Sequence, residues 1–197
     1  MIEEVVLATG NKGKIREFAG LLEGVFGKII SLNELDSPPE IIEDGKTFEE
    51  NAIKKARLIA AYSGKPVLTD DSGLEVDALG GRPGVYSARY AGASATDRDN
   101  IDKLLIELHG IEQRKARFVC VLALVTHDGE EVVARGECDG VILNEPRGER
   151  GFGYDPIFFV PEFGKTMAEI DPGLKNKISH RARAAESLIR RLRGGPD

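Results

Sequence analysis

The chain lacks any apolar run of membrane-spanning length, which takes about 20 residues, and it has only two cysteines in 197 residues. Cys120 and Cys138 show neither metal-ligand spacing nor a Cys-x-x-Cys pattern. Both are expected as small buried residues in strands, in a reducing cytoplasm. An excess of positive charge is also missing. The net charge of −6 argues against a general nucleic-acid binder, which presents a basic face. Most of the arginines that do gather, Arg181, Arg183, Arg190, Arg191 and Arg193, suit the solvated side of a last helix. No repeat and no low-complexity segment is present. The acidic start, Met1-Ile2-Glu3-Glu4, runs straight into a strand without the pattern of a signal peptide. A cytoplasmic protein that meets neither membrane nor nucleic acid is the expectation.

What is present is ordinary for a globular domain, 41% hydrophobic and 30% charged residues. The length suits one domain over residues 1–197, or two lobes around one cleft, with a sizeable core. Glycine, at 23 residues, clusters at Gly80-Gly81, Gly84, Gly92 and from Gly148 to Gly153, which marks shaped loops.

Val5-Val6-Leu7-Ala8 reads as a buried strand, followed by a helix with Ile15, Phe18, Leu21 and Leu22 on one face. Lys28 to Leu32 reads as a second strand. Thr47-Phe48-Glu49-Glu50 is a capping box that opens a helix through Tyr62, stopped by Ser63-Gly64 and Pro66. Val67-Leu68-Thr69 predicts a short strand ending on Asp70-Asp71-Ser72-Gly73. A loop from Gly80 to Gly92 precedes a helix capped at Thr96 and running to about His109. Ala116 to Val125 suits a central strand, and Asp128-Gly129 turns it back into Glu131 to Ile142. An irregular stretch, Asn144 to Pro156, leads to Ile157-Phe158-Phe159-Val160. Ser179 is expected to cap a last helix with Ala182, Ala185, Leu188, Ile189 and Leu192 inward. The sum is an α/β fold with a mixed β-sheet, flanking helices and two lobes around a central cleft.

Two segments carry chemistry. Thr9-Gly10-Asn11-Lys12-Gly13-Lys14 is a polar turn between strand and helix, where backbone N–H groups and the positive helix end converge and two lysines add charge. That suits phosphate, although the Walker pattern is absent. The plainer reading is an ordinary turn, with Gly10 in an unusual dihedral and Asn11 as cap. Asp70-Asp71 places adjacent carboxylates where a buried strand ends, an arrangement that needs compensation. Magnesium, which takes one or two carboxylates plus substrate phosphates, would supply it. Glu43, Asp44, Glu49 and Glu50 are further carboxylates nearby in sequence. Asn51 and Lys55, four apart on one helix, can present an amide and an ammonium to one site. In the alternative, Asp70 or Asp71 is a turn residue and Glu50 only a cap partner.

These pieces together resemble the inosine/xanthosine triphosphate pyrophosphatase family. The resemblance rests on Thr9-Gly10-Asn11-x-x-Lys14, Thr47-Phe48-x-Glu50-Asn51-Ala52 with Lys55-Ala56, and Asp70-Asp71-Ser72-Gly73-Leu74. It continues in Gly80-Gly81-x-Pro83-Gly84-x-Tyr86-Ser87-Ala88-Arg89-Tyr90, Gly151-Phe152-Gly153-Tyr154-Asp155-Pro156 and Ser179-His180-Arg181. The pieces span nearly the whole chain in family order.

The resemblance implies magnesium-dependent hydrolysis of ITP, dITP and XTP between the α and β phosphates, giving monophosphate and pyrophosphate, in a homodimer. Carried over by residue, Thr9, Gly10, Asn11, Lys12, Gly13, Lys14 and Lys55 hold the triphosphate. Asp71 is general base or metal ligand, with Glu43 as second ligand. Ser72, Phe152, Gly153, Tyr154, Asp155, Lys175, His180 and Arg181 bind the nucleoside, with Lys177 the alternative to Lys175. Phe152 offers a flat apolar wall for a purine. His180 and Arg181 can donate hydrogen bonds to an oxygen at position six, where an adenine amino group would meet donor with donor. Tyr86, Arg89 and Tyr90 pin their loop or face another subunit. A nucleotide sensor without turnover and an RNA-binding module are the competing functions.

Overall fold

In the computed structural model, which describes residues 2–195, strand β1 (Glu4–Leu7) sends alternate side chains to opposite faces. Val5 and Leu7 pack with Phe18, Leu22, Leu68, Cys120, Leu122, Ala184 and Leu188, while Val6 and Ala8 pack with Ile30, Ile59 and Val67. A strand covered on both faces needs helices on both, and the sequence supplies them. Helices α1 (Lys12–Leu21) and α5 (His180–Leu192) furnish residues to the first cluster, and α2 (Phe48–Ser63) to the second.

β1 pairs in parallel with β2 (Lys28–Ser31) and with β3 (Val67–Val76). The sheet continues through β4 (Lys115–Val125), β5 (Glu131–Ile142), β6 (Phe158–Val160) and β7 (Lys165–Thr166). Its order is β2-β1-β3-β4-β5-β6-β7, and β6 lies antiparallel to both its neighbours. The mixed sheet with flanking helices is thus present, and the Gly129 turn, at φ 80°, joins β4 to β5 where Asp128-Gly129 predicts it.

Internal contacts divide the chain into two units. One holds the residues up to Asp71, 120–136 and those from Arg181 on; the other holds 72–119 and 137–180. The second has its own core, built on Leu74, Leu104, Leu108, Phe118, Ile142, Ile157 and Phe158. Helix α3 (Asp97–Glu107) serves that core through Ile101 and Leu104, and opens with a capping box between Thr96 and Asp99.

Four local expectations are corrected. The strand after Pro66 does not end on Asp70 but runs ten residues to Val76, so Asp70 and Asp71 lie within β3. The strand continues because the charges there meet lysine partners, described below. At α2, Thr47 accepts from the Glu50 amide, but the Glu50 carboxylate takes the N–H of Lys46 rather than that of Thr47, so the box is not closed. Gly10 is absent from the positive-φ residues, so no unusual dihedral explains it. An unforeseen short helix, α4 (Pro172–Ile178), is capped by Asp171 and begins on proline; Ser179 is its C-cap and also directly precedes α5, where the cap of the last helix is expected. In α5, Ala182, Ala184, Ala185 and Leu188 are buried, whereas Leu192 is exposed.

Candidate active site

The turn after β1 is held by its own side chains. Asn11 Oδ1 accepts from the amides of Gly13 (2.8 Å) and Lys14 (3.0 Å), which makes Asn11 the N-cap of α1. The Thr9 hydroxyl accepts from the Asn11 amide. Two of the helix's first N–H groups are therefore occupied, leaving the positive helix end and the two lysines as attractors for an anion. Thr9 is buried, and Gly10, Asn11 and Lys12 are exposed. Lys14 reaches inward instead: its Nζ lies 2.7 Å from Asp70 Oδ2.

Asp70 is 0% exposed. Burial raises the pKa of such a carboxyl, but Lys14, Lys55 and Arg181 together outweigh it, and the group is held below its ordinary value. Asp71, next in the strand, is 7% exposed. Alternation along β3 points it the other way from Asp70, and its surroundings differ. Burial pushes the Asp71 carboxyl up to about 6; Lys55 pulls it back and Glu43 pushes it further. Its Oδ2 is buried and has no hydrogen-bond partner.

α2 supplies the residues that face this pair. Lys55 is buried, with its Nζ 2.6 Å from Glu43 Oε1. Burial disfavours the Lys55 ammonium, but Asp70 and Glu43 prevail, and its pKa lies above the ordinary value. One turn earlier, Asn51 is buried and its Oδ1 accepts from the Gly45 amide at 2.8 Å. That bond aims the Nδ2 group away from Gly45. Nδ2 favours the charged form of Asp71 but closes no hydrogen bond of ordinary distance and angle. Gly45 is required for this approach, since a Cβ there would come within 2.6 Å of Asn51 Oδ1. Asn51, Lys55, Glu43, Asp70, Asp71 and Lys14 thus form one cluster in the first unit.

A second cluster lies in the other unit. Lys175 Nζ is 2.6 Å from Asp155 Oδ2, with side-chain exposures of 8% and 5%. The same oxygen accepts from the Phe152 amide at 3.0 Å. The Lys175 ammonium stands 5.3 Å from the centre of the half-buried Phe152 ring. The Gly153 amide donates to Asp97 at the start of α3 (2.6 Å), and the Tyr154 hydroxyl donates to the Ser87 carbonyl (2.9 Å). Every residue from Phe152 to Asp155 is therefore tied down. Lys177, the alternative to Lys175, is exposed.

Ser179 and His180 belong to the second unit and Arg181 to the first. His180 is buried and stacks on Phe118, ring centres 4.8 Å apart and planes 19° from parallel. Arg181, also buried, gives Nη1 to Glu17 Oε2 of α1 at 3.0 Å, and its charge acts on Asp70. Glu17 and Asp97 were not legible as site residues. Glu17 and Arg181 are 164 positions apart, and no spacing rule links them. Cys120 and Cys138 are buried in strands, as expected, and burial drives the Cys120 thiol far up. No described helix is long and apolar enough to cross a membrane.

A model of the Ham1 family matches residues 5–191. A Shouchella clausii protein named dITP/XTP pyrophosphatase is 53% identical over 195 residues, which cover 98% of each chain. Among solved structures, a HAM1 protein from Coxiella burnetii superposes with a TM-score of 0.89 at 46% identity, over 98% of this chain and 100% of that one. The Staphylococcus aureus Ham1 protein gives 0.88 at 45% identity, over 98% and 99%.

Proposed function

Because the chain belongs to the Ham1 family, we propose that it is a pyrophosphohydrolase of non-standard purine nucleoside triphosphates. It converts ITP, dITP and XTP to the monophosphate and pyrophosphate, as one domain. The observation that carries this is Asp71: a buried carboxylate with an unpartnered oxygen and a raised pKa, set among Lys55, Lys14 and Asn51. A carboxylate in that state is equipped to take a proton from water beside phosphate-binding cations.

The donor set fits magnesium. Asp71 and Glu43 are hard oxygen donors close enough for Glu43 to raise the Asp71 pKa, and magnesium takes one or two carboxylates and fills its shell with water and phosphate oxygens. Among the described residues no group of three His, Cys, Asp or Glu side chains could hold an ion by itself. Sharing the ion with the substrate is the arrangement that donor set supports. When bound, magnesium offsets charge on the phosphates as pyrophosphate departs.

The residues of the chain do the rest. Lys55, Lys14 and the α1 end, with Thr9 to Gly13, hold the triphosphate. Asp71 orients the attacking water and accepts its proton. Phe152 stacks on the purine, and Asp155 fixes Phe152 through its amide and Lys175 through its ammonium. Lys175, His180 and Arg181 supply donors to the six-oxygen, with Ser72, Gly153 and Tyr154 shaping the nucleoside contacts. An amino group at position six would leave such donors unpaired, a heavy penalty in a buried site. A homodimer belongs to the same reading; Tyr86 and Ile106, 56% and 74% exposed, are apolar side chains open to a partner.

The test is Asp71→Asn, which keeps the shape and removes the base. Turnover of ITP is expected to fall at least a hundredfold, while a non-hydrolysable ITP analogue still binds. Undiminished turnover would remove Asp71 from the reaction.

A further inference from the structure

Asp70 has no part in the chemistry proposed so far, yet it is the most deeply buried charge beside it. It is 0% exposed and lies within the sheet, so neither solvent nor a phosphate reaches it directly. An ionised carboxylate in such a place is costly unless cations meet it. Three do, each from a different helix: Lys14 from α1 at 2.7 Å, Lys55 from α2 and Arg181 from α5. Lys14 is in direct contact with that carboxylate, and it keeps part of its side chain open, at 17% exposure. The Lys14 side chain is therefore held by Asp70 without being closed to the outside.

A lysine carries about 2 kcal/mol of rotamer freedom, and a free one at an exposed helix start would wander. A carboxylate behind it removes that freedom before an anion arrives. It also offsets the mutual repulsion of the three cations in the empty site. Resting on the triphosphate reading of this cluster, we infer that Asp70 is a positioning residue: it acts on the reaction through Lys14, fixing its ammonium against the triphosphate. The helix that carries Lys14 is itself held at Glu17 by Arg181.

The test is a double-mutant cycle of Asp70→Asn and Lys14→Met, measured as kcat and KM for ITP with pyrophosphate as product, alongside thermal melts. Asp70→Asn is expected to lower kcat at least tenfold with KM changed less than threefold, since the fixed charge matters most as pyrophosphate leaves. Lys14→Met lowers kcat further. The double variant is expected to match Lys14→Met within twofold, because the effect of Asp70 on turnover passes through Lys14. Losses that multiply in the double variant would show that Asp70 acts independently of Lys14 and overturn the assignment, as would a kcat for Asp70→Asn within twofold of the wild type. A wild-type protein that releases no pyrophosphate from ITP or XTP would instead overturn the proposed function, and this role with it.

Discussion

Removing the Lys175 ammonium by Lys175→Met leaves Asp155 buried without its cation, in a position where the pair is nearly closed to water. Side-chain exposures of 8% and 5% and a contact of 2.6 Å place it among buried pairs, for which loss of one partner costs about 3–5 kcal/mol. Methionine fills most of the volume of the lysine stem, and Asp155 keeps the Phe152 amide at 3.0 Å, so the lower end, about 3 kcal/mol, is expected. For a chain of this size that is roughly 6–12 °C in Tm. Urea unfolding at pH 7.5 and calorimetry would read it. The companion variant Lys175→Met with Asp155→Asn replaces the charge pair with a neutral one in which the asparagine oxygen still accepts from Phe152, and it is expected to regain most of the loss. A loss below about 1 kcal/mol, of the size found for exposed pairs, would refute the treatment of this pair as buried. So would a double variant no more stable than the single one.

Asp71→Asn bears on stability as well as turnover. The folded pKa of about 6 lies above the usual carboxyl value near 4, so the folded state favours the neutral form. Its contribution is complete below pH 4 and is lost as pH rises through 6. Without magnesium, Asp71→Asn is expected to be more stable than the wild type by roughly 2–3 kcal/mol at pH 8 and equal to it at pH 4; urea melts at the two pH values decide, and an unchanged difference would contradict the raised pKa. Gly151→Ala places a Cβ against Asp155 Oδ2 at a residue with φ 79°. It is expected to loosen the Phe152 loop, raising KM for ITP about tenfold while inhibition by inorganic tripolyphosphate, which has no base, stays within twofold.

Where neighbouring residues decide the structure, the sequence was readable. Thr96 with Asp99, Asn11 with its following amides, and Asp128-Gly129 between β4 and β5 are local chemistry, and each acts where its pattern places it. β3 was misread because Asp70-Asp71-Ser72-Gly73 looks like a strand's end. Two carboxylates stay inside the sheet where cations from α1, α2 and α5 surround them, and those cations are distant in sequence. The same reason hid the pairs Asp155 with Lys175 and Glu17 with Arg181, which are set by the fold and not by spacing. Helix α4, at seven residues, is too short for a periodic signal, although Asp171-Pro172 offered a start. The motifs Thr9 to Lys14, Asp71 and Phe152 to Asp155 could be named from the chain. Their division of labour needed the contacts: Lys14 turned toward Asp70, and Tyr154 bound to Ser87.

The decisive measurement is the phosphorus NMR spectrum of products formed from ITP, XTP and dATP with magnesium. ITP and XTP are expected to give equal amounts of nucleoside monophosphate and pyrophosphate, with dATP consumed at least a hundredfold more slowly. Orthophosphate with a nucleoside diphosphate as products, or dATP turned over at a comparable rate, would contradict the function proposed for this site.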